Sequence, residues 1–153
     1  SELREQCKAC ALSTKIDREA RAKSEFAALV KMLPSPVRTL ELDYGKLSVV
    51  LCPITLEYDG MDYEMGSFTL QITTESVRIW SDSGNNYPHP HVSSDGVPCW
   101  GNLGPSIARL LGEREYVGLV ATVIEFLHSY NEHDAYRRIE NWDPDWSADD
   151  DES

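Results

Sequence analysis

The hydrophobic period changes twice along this chain, and that change limits the folds open to it. Phe26, Leu29, Val30 and Leu33 fall at i, i+3, i+4 and i+7, the spacing of one buried helix face. Pro34 and Pro36 then stop the helix. From residue 37 the period becomes two. Residues 37–42 alternate with Leu40 and Leu42 on one face, and residues 46–58 carry Leu47, Val49 and Leu51. Pro53 marks a bulge or an edge in that run. Asp59-Gly60 is a strong turn dipeptide leading into residues 61–73, where Phe68, Leu70 and Ile72 share a face. Val77 to Trp80 is a fourth short strand. The helical period returns with Ile107, Leu110 and Leu111, and again with Val120, Val123, Ile124 and Leu127. Asp134 to Trp142 reads as a last short helix, and residues 1–15 as a less periodic extension or arm. The expected fold is therefore α+β: an N-terminal helix, a four-stranded antiparallel meander, a long loop and C-terminal helices packed on one side of the sheet.

At 153 residues the chain has the length of one domain and enough surface to bury a core without disulfides. The expected division is a domain over 1–142 and an acidic, disordered tail over 143–153. No run approaches the ~20 apolar residues of a membrane span. The opening residues Ser1-Glu2-Leu3-Arg4-Glu5 are charged and read as no secretory leader. A net charge of −12 argues against a nucleic-acid partner, which needs clustered Lys and Arg. Seven of the 14 basic residues nevertheless precede Pro34, so the N-terminal segment can offer a basic face to an acidic protein. Four cysteines (Cys7, Cys10, Cys52 and Cys99) are too few for a disulfide scaffold and suit a reducing, cytoplasmic setting.

Residues 81–105 have almost no apolar periodicity, and an irregular segment of that length inside a domain is usually functional. Pro88, Pro90 and Pro98 stiffen it, and Gly96 and Gly101 permit tight turns. His89, His91 and Cys99 lie close together in it. A thiolate is the strongest side-chain nucleophile near neutral pH, and histidine titrates in that range. Cys99 is thus a candidate nucleophile, set against the plain reading of a small buried residue among turn-capping histidines. A zinc site is a weaker rival. His89, His91 and Cys99, completed by His128 or His133, could ligate a metal, but no Cys-x-x-Cys pair lies nearby. Cys7-Lys8-Ala9-Cys10 is half of such a site.

The run His89-Pro90-His91-Val92, then Gly96, then Cys99 resembles the active-site signature of ubiquitin-conjugating (E2-like) enzymes. Their pattern is His-Pro-Asn, an aliphatic residue, a short variable stretch, Gly, two residues and the catalytic Cys, and the spacing agrees without a gap. The order of elements agrees over about residues 16–142, and Tyr130-Asn131-Glu132-His133-Asp134-Ala135-Tyr136 resembles the family's segment that borders the active site. The resemblance implies the ubiquitin-conjugating fold and a thioester between Cys99 and a ubiquitin-like protein, received from an E1-like activating enzyme and passed to an amine on a protein substrate. It implies that Asp134 orients the incoming amine, that His89 and Pro90 shape the loop, and that the activating enzyme docks on the basic N-terminal helix. No metal or organic cofactor is implied. His91 stands where the family has Asn, a residue linked to loop support and to stabilising the oxyanion; a histidine N–H can also donate to an oxyanion. Trp100-Gly101-Asn102 replaces the usual residues after the cysteine, and Asn102 could bring an amide there. These departures resemble those of bacterial E2-like proteins encoded beside activating, ubiquitin-like and deubiquitinase-like partners, some in operons resembling antiviral defence systems. The alternative is a binding module on the same fold, such as an inactive E2 variant or an RWD domain.

Overall fold

The computed structural model describes residues 20–21, 23–82, 87–131, 135–136 and 138–139. The expectations for residues 1–15, the Cys7–Cys10 pair, the last helix over 134–142 apart from a few positions, and the tail over 143–153 lie outside them. The chain is α+β, with helical residues 20–21 and 23–30 (α1), antiparallel strands, and two later helices, α2 (Gly104–Gly112) and α3 (Tyr116–Leu127). Among the described residues no helix is long and apolar enough to cross a membrane.

The four expected strand runs are present, but two of them bend, giving six strands: β1 (Val37–Asp43), β2 (Lys46–Leu51), β3 (Ile54–Tyr58), β4 (Met61–Gly66), β5 (Phe68–Ile72) and β6 (Val77–Ser81). One four-stranded sheet has the order β1-β2-β5-β6, while β3 and β4 form a separate hairpin. The first bend falls at Cys52-Pro53. Proline has no N–H for a ladder, and Cys52 donates its own N–H sideways to Pro36 O at 3.0 Å. The second falls at Gly66 (φ +82) and Ser67. Ser67 N–H donates to Asp82 Oδ1 at 2.9 Å and its carbonyl accepts Asp82 N–H at 3.1 Å. Asp59 and Gly60 both take positive φ (+53 and +78), the pair of angles that a two-residue hairpin turn requires.

Alternation along β2, β5 and β6 turns Leu47, Val49, Leu51, Phe68, Leu70, Ile72, Val77 and Ile79 inward. Opposite partners such as Val49 and Leu70, or Leu70 and Ile79, meet on one face. Onto that face α3 lays Leu119, Val120, Val123, Phe126 and Leu127, and α1 adds Leu29. Fully burying one such side chain contributes ~1.5–3 kcal/mol, so this layer is the main source of stability. Two expectations fail at its margin. Val30 is 46% exposed because α1 leans on Leu29, with Phe26 and Leu33 partly buried. Leu42 is 60% exposed: it lies on the edge strand beside the Tyr44-Gly45 turn, lining a groove with Phe26 and Tyr116.

Candidate active site

The long loop is held by a ladder of short local bonds. Val92 N–H donates to His89 O, Ser93 N–H to Val97 O, and Gly96 N–H to Ser93 O, each at 2.9 Å. Ser93 Oγ also accepts the N–H groups of Asp95 and Val97, at 3.3 and 3.2 Å. This tight turn is stapled to the edge of the sheet, where Ile79 N–H donates to Gly96 O at 2.9 Å and Arg78 Nη1 to Asp95 O at 3.0 Å. Gly96 is there for two reasons. Its φ is +81, and an added Cβ would stand 2.9 Å from Trp80 Cζ2 and 3.1 Å from Ile79 O. Both are shorter than ordinary contacts, so the glycine of the signature lets the turn lie on Trp80.

Residues 88–92 are buried. His89 has no exposed surface. Its Nδ1 accepts the N–H of His91 at 3.1 Å, so the ring proton must sit on Nε2, which donates to Leu127 O at 2.9 Å. Burial pushes its pKa from 6.5 down to about 3, with smaller downward effects from His91 and His128, against the carbonyl of Leu127. His89 is therefore a neutral strut joining the loop to the end of α3. Both ring nitrogens are occupied, which removes it from the rival set of metal ligands. Among the described residues no group of three or more His, Cys, Asp or Glu side chains is arranged to hold a metal ion.

Cys99 follows directly from this frame. Its N–H donates to His91 O at 2.8 Å, which ties the candidate nucleophile to the buried His-Pro stretch. The thiol is free and half-buried. It opens on a cleft of about 320 Å³ lined by His91, Trp100 to Leu103, Phe126 and Ser129 to Asn131. Trp100 packs on Phe126 with ring centroids 4.8 Å apart. His91 is 4% exposed and its Nε2 accepts Asn131 N–H at 2.8 Å. Asn102 lies on the 3₁₀ turn Gly101–Leu103 and lines the same cleft, so Cys99, His91 and Asn102 are brought together. Asp134 lies outside the described residues. On either side of it, Asn131 bonds to His91 and Tyr136 N–H donates to Pro90 O at 2.8 Å.

Phe126 is absent from the residues expected at the site, although its position three residues after Val123 on the buried face of α3 marks it as inward. The seat of Gly96 on Trp80 is a contact between separate elements and has no local signal in the sequence. No protein-family model matches the chain, and no curated protein matches it either.

Proposed function

We propose that this protein is an E2-like conjugating enzyme with the ubiquitin-conjugating fold. Cys99 accepts the C-terminal acyl group of a ubiquitin-like protein and passes it to an amine. The observation that carries the reading is the placement of Cys99: a free, half-buried thiol at the lip of a cleft, on a loop whose His-Pro stretch is locked by a neutral buried histidine. A nucleophile held this way needs little reorganisation to meet a carbonyl, which is where positioning lowers a barrier.

The reaction balances without a cofactor. Cys99 thiolate attacks the thioester carbonyl on the E1-like activating enzyme, and that enzyme's thiolate leaves. An amine nitrogen then attacks the new thioester, forms the amide and releases Cys99 thiolate, while the ammonium proton passes to Asp134 or water. ATP is spent earlier, by the partner. The exposed lysines Lys23, on α1, and Lys31, just after it, belong to the basic segment on which the activating enzyme docks. A reducing, cytoplasmic setting keeps the thiol available.

Incubation with ATP, the E1-like partner and its ubiquitin-like protein, followed by a non-reducing gel, tests the reading. The expected result is a thiol-sensitive adduct that disappears in Cys99→Ala. Non-covalent binding with no adduct in the unmodified protein would instead identify a binding module, the reading favoured by His91 standing in place of the family's Asn.

A further inference from the structure

His91 is the junction of two hydrogen bonds that meet at the cleft. Its carbonyl accepts the N–H of Cys99, and its Nε2 accepts the N–H of Asn131, each at 2.8 Å. The ring is packed between Phe126 and Tyr130, with centroids 6.2 and 5.6 Å away. A nitrogen that accepts from a backbone N–H carries no proton, so His91 is neutral with its hydrogen on Nδ1. His89 holds the opposite tautomer, with its hydrogen on Nε2. The two neighbouring rings thus bind the loop to two successive points of one segment: His89 to Leu127 at the end of α3, and His91 to Asn131 just beyond it.

We propose that His91 is a positioning residue, which holds the backbone at Asn131 as the wall of the Cys99 cleft through an acceptor at the reach of Nε2. In its kinetic part the proposal rests on the conjugating reading above. It makes a demand on position 91 opposite to that of an oxyanion donor. Glutamine places an amide oxygen at about the reach of Nε2 and can keep the bond to Asn131. Asparagine is one bond shorter and reaches only to about the position of Nδ1. Restoring the residue of the family signature should therefore weaken this chain.

Two measurements decide it. The first needs no activity. Nitrogen-15 correlation spectra of the histidine rings in the unmodified protein should show Nε2 of His91 unprotonated and Nε2 of His89 protonated, with the Asn131 amide protected from exchange. A protonated His91 Nε2 would overturn the proposal. The second uses Cys99 acylated with an N-acetyl-glycyl-glycine thioester of 2-mercaptoethanesulfonate, located by mass spectrometry, and free lysine as acceptor. His91→Gln should discharge within about threefold of the unmodified protein. His91→Asn should be slower by about tenfold, the size expected for one lost hydrogen bond. Discharge from His91→Asn as fast as from His91→Gln would also overturn the proposal. Discharge from the unmodified protein no faster than from an N-acetylcysteine thioester would overturn the conjugating reading alone, and the ring nitrogens would still decide the role of His91.

Discussion

His89 shows how one side chain can hold a loop in place without lining the cleft that the loop borders. An imidazole in water is a pH switch near 6.5; this one is fully enclosed by Phe68, Phe126 and the loop, and its charged form is excluded. The consequence is measurable. The ring takes up a proton at about pH 3 in the folded protein and at 6.5 when freed. Between those values the unfolded chain binds a proton that the folded chain does not. The contribution to stability is therefore complete above pH 6.5 and is lost as pH falls through the window toward 3, at up to ~1.4 kcal/mol per pH unit from this group. His89→Gln keeps a side-chain donor for Leu127 but removes the titration. Urea midpoints recorded between pH 7 and 4 should fall less steeply in the variant than in the unmodified protein. Equal slopes would mean that His89 is protonated in the fold or already shielded in the unfolded chain.

Among the elements, the parts legible in sequence were those set by local periodicity. The inward faces of β2, β5 and β6 and the pattern of α3 follow from spacing alone, because a strand alternates and a helix repeats whatever surrounds it. The strand breaks were half legible: Pro53 announced one, while the break at Gly66-Ser67 depends on Asp82, fifteen residues away, which no local pattern reveals. The exposure of Leu42 and Val30 is likewise decided by neighbours. The hairpin of β3 and β4 was legible through Asp59-Gly60, and its separation from the main sheet gives a local prediction. Gly60 has φ +78 and nothing within 4 Å of an added Cβ, so Gly60→Ala adds backbone strain without a clash. A loss of ~1 kcal/mol is expected, the penalty for a left-handed non-glycine residue. Hydrogen exchange should quicken at the amides of 57–62 and stay unchanged between β2 and β5. Equal acceleration in both places would show that hairpin and sheet open as one unit.

At the scale of the whole molecule, charge adds what packing does not. The chain is strongly acidic, yet half of its cations precede Pro34. Within the described part of that segment Arg21 donates to Glu113 O at 3.2 Å, whereas Lys23 and Lys31 are exposed on and just after α1. The candidate site was legible as a set of residues through the spacing of His89, His91, Gly96 and Cys99. Its three-dimensional content was not, because Leu127, Phe126 and Asn131 reach it from α3 and the residues beyond, about forty positions along. On the proposed conjugating function, the same separation of parts divides docking from chemistry. Where α1 is the dock, reversing Lys23 and Lys31 to Glu should raise the concentration of this protein needed for half-maximal loading by the activating enzyme by about tenfold at low salt. That is ~1.4 kcal/mol spread over two charges, and the effect should shrink as salt shortens the Debye length below ~8 Å. Acylation of Cys99 by the small glycyl-glycine thioester should be unaffected, because it requires only the cleft. Enzymatic loading that ignores the reversal would move the dock away from α1. A matching loss with the small thioester would instead show that the reversal had disturbed the cleft.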